Sequence, residues 1–330
     1  MSSLRNPVLL ILTLLLGATA EAQLTAVFPP SVRPRAGVWL DQKRIFDFET
    51  SEQKLRPVWI HGGDSLSSGW SNRGSLRSKI AQGEFRAIPE PRSVEDTINS
   101  LPLPESTWYA GSKFNNAVLG RLEEKFGSEW VIVSSAVAGA RLYPLPVRQI
   151  SIGDPIDMML KAKTPERVKL VTFSLGNNDV CEGNPMQDEA NLRTRLRSIK
   201  TTYPNAVIVP FSVVPVRHVY KQIMDALKAE PQTTGRDRVI DYCEKMWSQV
   251  CPAALELNAN VDGSVDPGSA EARVNQIYRE ELGEPFDAIG SVPGMNILDL
   301  LSTDCFHPSA VTEGRIVQPL MDHLSKTLKP

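Results

Sequence analysis

The sequence has little of what marks several large protein classes. Its 36 Lys and Arg against 38 Asp and Glu leave a formal net charge of −2. Without a basic surplus, neither nucleic acid nor an anionic membrane surface is an expected partner. Beyond residue 17, no segment approaches the roughly 20 apolar residues of a membrane-spanning helix. There are only 4 histidines and 4 cysteines, and no Cys-x-x-Cys, so no structural zinc site is expected. Internal repeats and low-complexity tracts are also lacking.

What is present begins with one apolar run, residues 8–17 (VLLILTLLLG), preceded by Arg5. Two small-x-small sites follow, Ala18-Thr19-Ala20 and Ala20-Glu21-Ala22. This pattern predicts a secretory signal peptide over residues 1–22, cleaved near Ala20 or Ala22. The alternative is an uncleaved anchor helix. No cysteine follows the cleavage region, so a lipid anchor is not expected. A cleaved chain would be soluble and exported, secreted or periplasmic, and export lets disulfides form. Cys181, Cys243, Cys251 and Cys305 allow three pairings. Cys243 and Cys251, close in sequence, are the favoured pair, with Cys181 and Cys305 then joined or free.

Apolar residues make up 42% of the 330, ample for a substantial core. Residues 23–56 are mixed and proline-bearing and read as a surface arm. Apolar runs then alternate with helical patterns. Strands are expected at 57–60, 129–134, 168–175, 206–214 and 295–301. Helices are expected at 113–126, 156–162, 187–202, 217–229, 236–250, 271–282 and 310–328. Strands that read as continuous apolar runs between helices indicate a parallel sheet covered on both faces. The fold class is therefore α/β, doubly wound, over residues 57–330. Residues 69–111 have weak periodicity and many prolines, and read as an insertion forming a lid or substrate wall.

In such a sheet, ligands bind beyond the carboxyl ends of the strands. Four polar segments fall there: Gly63-Asp64-Ser65-Leu66, Ala138-Gly139-Ala140, Gly176-Asn177-Asn178-Asp179 and Asp304-Cys305-Phe306-His307. Their chemistry is complementary. A serine hydroxyl needs a base, and His307 can serve if Asp304, three residues earlier, orients its ring. Backbone N–H groups at Ser65 and Gly139, with the Asn178 side-chain amide, would receive an oxyanion.

These four blocks, in this order from residue 62 to residue 308, resemble those of the SGNH (GDSL-type) hydrolases. The stretches SSAVAGARLYPLPVRQI and LGNNDVCEG look like the phospholipase B-like branch of GDSL esterases. The resemblance implies a flavodoxin-like three-layer α/β/α sandwich. It implies Ser65 as nucleophile, Asp304 and His307 as its partners, and Ser65, Gly139 and Asn178 as the oxyanion hole. It implies a serine esterase acting on small-molecule or lipid esters through an acyl-enzyme, with no metal or organic cofactor. A carbohydrate O-acetyl esterase, an acyltransferase on the same triad and an inactive secreted binding protein are the alternatives. Transient lipid contact is compatible with the branch, and oligomeric state is left open.

The remaining polar residues have plainer readings. His61 reads as a packed structural histidine, and His218 and His323 as helix residues. Ser67, Ser68 and Asn177 read as turn-forming, Asp179 as a loop brace, and the basic stretch 193–200 as a solvated face.

Overall fold

The computed structural model describes residues 36–38, 55–64, 75–77, 80, 118–127, 130–136, 140–142, 155–160, 165–181, 188–255, 268–294, 296–302 and 304–328. The apolar run after Pro57 becomes strand β2 (Val58–Gly63), buried at all six positions. It sits at the centre of a five-stranded sheet with β1 (Ala36–Val38), β3 (Val131–Ala136), β4 (Val168–Ser174) and β5 (Val207–Pro210). The order is β1-β3-β2-β4-β5, and every pairing is parallel. Within residues 23–56, residues 36–38 thus form an edge strand on β3 rather than a surface wrap.

The chain runs outward from β2 to β3, then crosses back over β2 to β4. This reversal opens a crevice at the carboxyl end of β2. Gly63 lies level with Ala136 of β3 and Ser174 of β4, so three strands end together at that crevice.

Both faces of the sheet are covered. Between Val168 and Leu170 the register slips by one residue, which turns these neighbours to opposite faces. On one face Val58, Ile60, Val171 and Phe173 pack with α2 (Pro155–Met159), α4 (Glu189–Thr202), α5 (Val216–Ala229), α6 (Thr234–Val250) and α7 (Ala270–Leu282). On the other, Trp59, Leu170 and Val209 pack with α1 (Val118–Phe126) and α9 (Ala310–Thr327). The result is the three-layer α/β/α sandwich that the sequence implied. Gly62 lies where α2 crosses β2, and a Cβ there would have to displace the Met159 side chain.

Four of the longer helices start at a side-chain cap. Asp188, Thr233, Ser269 and Ser309 each accept a first-turn N–H, satisfying a donor that the helix leaves open. The basic stretch of α4 is not simply solvated. Arg193 and Arg197 pair with Glu281 of α7 at 2.9 and 2.6 Å. Hydrogen bonds from Arg197, then Arg193, pull the Glu281 carboxyl down to about 2.

Two expectations are corrected. The described part of the expected strand at 295–301, residues 296–301, is not a strand. Asn296 Oδ1 accepts from Leu298 N at 2.9 Å and starts the short helix α8 (Ile297–Leu300). Phe286 takes the place beside β5 instead, bonded to Pro210 O and Ser212 N. The disulfides are Cys181–Cys251 and Cys243–Cys305, not Cys243–Cys251. Cys243 lies inside α6 and Cys251 caps its end, so the helix holds them roughly 12 Å apart, beyond disulfide reach. The observed bridges close loops of 70 and 62 residues, each worth about 4 kcal/mol by chain entropy.

Candidate active site

The crevice is built from chain segments that meet only in three dimensions. Asp64 follows β2, and its N–H donates to Ser174 O at 3.1 Å, extending the β2–β4 ladder by one bond. Its side chain is buried. Ser65 and Gly139, the expected nucleophile and oxyanion glycine, lie outside the described residues, as does most of the 69–111 insertion.

The segment after β4 is described in full. Gly176 has φ 101°, and a Cβ there would come within 2.7 Å of Val213 Cγ2. Only glycine suits both constraints. The chain then turns at once into a short helix the sequence did not reveal, α3 (Asn177–Cys181). Its first three residues face three directions. Asn177 Oδ1 accepts from Val214 N at 3.0 Å, and its amide lies 3.5 Å from Asp64 Oδ2. Asn178 Nδ2 donates to Ala140 O at 2.9 Å. Asp179 Oδ2 accepts from Leu142 N at 2.9 Å.

These bonds change the reading of Asn177. It is a buried link between the ends of β2 and β5, not a turn former. Asp179 braces the 140–142 segment as expected. One N–H of the Asn178 amide is fixed on Ala140 O, and an amide carries two. The side chain is therefore held in place with a second donor to offer.

The last block is a closed loop. Ser302 N donates to His307 O at 2.8 Å, and Cys305 N to Ser302 O at 3.1 Å. Cys305 adopts φ 65°, a left-handed conformation uncommon outside glycine. It is held there by the bridge to Cys243 and by Trp247 Nε1, which donates to Cys305 O at 2.7 Å. Inside the loop, His307 Nδ1 lies 2.6 Å from Asp304 Oδ2. Asp304 Oδ1 accepts from Ser302 Oγ at 2.7 Å, Phe306 N at 3.0 Å and His307 N at 2.9 Å. Both side chains are buried. The contact orients the imidazole through Nδ1. The Phe306 ring packs edge-on to His307 at 5.0 Å. Ser302 was missed from the sequence, although a serine two residues before the aspartate was a readable signal.

Asp64, Ser174, Asn177, Asn178 and Pro308 line one cavity. Blocks far apart in sequence thus come together there. His61, buried within β2, is a structural histidine. Its Nδ1 bonds Thr172 Oγ1 at 2.6 Å, and Trp59 Nε1 donates to the same oxygen at 2.8 Å.

Burial lowers the His61 imidazole to about 3. The unfolded chain takes up a proton near the ordinary histidine pKa of about 6.5. The folded chain does so only near the lowered value. Stability is therefore expected to fall as pH drops through that window, by up to about 1.4 kcal/mol per pH unit from this residue. Urea unfolding of a His61→Gln variant should show a shallower acid slope by that amount. An unchanged slope would contradict a neutral buried His61.

With this geometry in place, comparison with known proteins gives a family. The GDSL-like Lipase/Acylhydrolase family model matches residues 63–319, and the chain belongs to that family. No curated protein matches it. Among solved structures it is similar to TesA, at 14% identity and a TM-score of 0.41 over 82% of this chain and 99% of that one. It is similar to Est24, a carbohydrate acetylesterase from Sinorhizobium meliloti, at 14% identity and a TM-score of 0.44 over 83% and 100%. The psychrotrophic esterase EstA from Pseudoalteromonas sp. matches at 14% identity and a TM-score of 0.39 over 82% and 97%.

Proposed function

We propose that the protein is an exported serine esterase that cleaves carboxylic esters, of lipids or simple acyl groups, through an acyl-enzyme on Ser65. The observation that carries this reading is the buried His307–Asp304 pair, 2.6 Å apart. The carboxylate orients the ring through Nδ1, and in the proposed reaction Nε2 takes the serine proton. In the proposed reaction His307 takes the Ser65 proton as the hydroxyl attacks the ester carbonyl. The oxyanion is received by the Ser65 and Gly139 amides and by Asn178. His307 returns the proton to the departing alcohol, and water then releases the acid by the same route. The fixed amide of Asn178, bonded to Ala140 O, supports the oxyanion role because a preorganised donor needs no rearrangement as charge develops.

With p-nitrophenyl esters, Asn178→Ala is expected to lower kcat by roughly 10²–10³, with little change in KM. A loss confined to KM would contradict the oxyanion role. Export rests on residues 1–22 acting as the signal. Protein recovered outside the producing cytoplasm should begin at Glu21 or Gln23, by amino-terminal sequencing. An intact Met1 would contradict cleavage. Residues 57–330, with the edge strand at residues 36–38, then form the hydrolase domain.

A further inference from the structure

One face of α6 reaches both loops of the candidate site. Cys243, Trp247 and Cys251 follow one another along the chain about one helical turn apart. Cys243 is bridged to Cys305, and Trp247 Nε1 donates to Cys305 O at 2.7 Å. Cys251 is bridged to Cys181, the last residue of α3. All five of these residues are buried. The Trp247 indole also stands between two rings, Tyr220 of α5 at 5.5 Å and Phe306 at 4.8 Å. Phe306 in turn packs on His307.

Residue 305 is therefore held twice, by its sulfur and by its carbonyl oxygen. Its backbone needs that hold. At φ 65° a residue with a Cβ is disfavoured against glycine by roughly 5–30-fold. The turn at 305 lies between Asp304 and His307, so it sets the path across which His307 Nδ1 meets Asp304 Oδ2. A relaxed φ there would carry the imidazole off its carboxylate. We propose that Cys243 and Trp247 are positioning residues for the catalytic base: by holding residue 305 in its left-handed turn, they fix where His307 stands. Both act through the 304–307 loop. The inference rests on the esterase reading above. A bridge that served stability alone would leave the kcat of the folded protein unchanged.

Two double variants of the full chain, differing only at residue 305, separate these cases. Cys243→Ala with Cys305→Ala removes the bridge and keeps a Cβ. Cys243→Ala with Cys305→Gly removes the bridge and the steric cost of the left-handed turn. With p-nitrophenyl esters, kcat should fall by roughly 5–30-fold in the alanine pair. It should return to within about threefold of wild type in the glycine pair. KM should change little in either, since Cys243 and Cys305 are not among the described residues lining the cavity. Trp247→Phe keeps both bridges and a ring against Phe306, and removes only the N–H donor. Its kcat should fall by roughly fivefold or more, and it keeps the test open if loss of the bridge unfolds the chain.

Diethyl pyrocarbonate, which modifies accessible imidazoles, gives a readout that needs no turnover. His307 is buried, so peptide mapping should find it modified slowly in wild type, faster in the alanine pair and slowly again in the glycine pair. Wild-type kcat in the folded alanine pair, or equal losses in the two pairs, overturns the proposal. So does wild-type kcat in Trp247→Phe, or a modification rate at His307 that ignores residue 305. If the wild-type chain hydrolyses no ester while His307 modification follows the expected order, the esterase reading falls and the positioning of His307 stands.

Discussion

Replacing Ser65 by alanine is expected to lower kcat for ester hydrolysis by roughly 10⁴–10⁶-fold, with the fold intact. The size follows from the mechanism. Without the hydroxyl no acyl-enzyme forms, and only binding and the oxyanion donors remain to speed attack by water. The fold should survive for reasons visible around Asp64. The β2–β4 ladder closes at Asp64 N, bonded to Ser174 O at 3.1 Å, one residue before the substitution. Kinetics with p-nitrophenyl esters, alongside circular dichroism, check both halves. Turnover within about tenfold of wild type in a folded variant would remove Ser65 as nucleophile.

Asp304→Asn is the second large effect, with an expected loss of about 10⁴ in kcat. Three donors converge on Asp304 Oδ1: Ser302 Oγ and the backbone N–H groups of Phe306 and His307. An asparagine here must turn its carbonyl oxygen toward them, which aims its NH₂ at His307 Nδ1. The ring can then accept that bond only with its proton on Nε2, the nitrogen that should receive the serine proton. The loop is preserved and the tautomer is wrong. Binding of a non-hydrolysable ester analogue should change little. Near-wild-type kcat in Asp304→Asn would contradict the orienting role of Asp304.

The same residues explain how much of the site could be read from the sequence. Asp304 and His307 are three residues apart, and their bond forms within one turn, so spacing revealed it. Asn177 was misread because its partners, Val214 and Asp64, lie 37 and 113 residues away. No local pattern points to such links. Helix α3 was missed because five residues are too few to show a helical period.

The central strands were legible because burial on both faces leaves continuous apolar text. That same signal misled at 295–301, where a short apolar run fits either a strand or a helical turn and Asn296 settled it as a cap. The cysteine pairing was misjudged because nearness in sequence is not nearness along a helix. The observed bridges instead tie the two site loops to α6, Cys181 to its end at Cys251 and Cys305 to its middle at Cys243.

Labelling with a fluorophosphonate, followed by peptide mapping, tests the central claim most directly. The wild-type chain should label once, on the peptide that carries Ser65, and labelling should collapse in His307→Ala. A wild-type protein that stays unlabelled, or that labels on a different serine, would contradict the account.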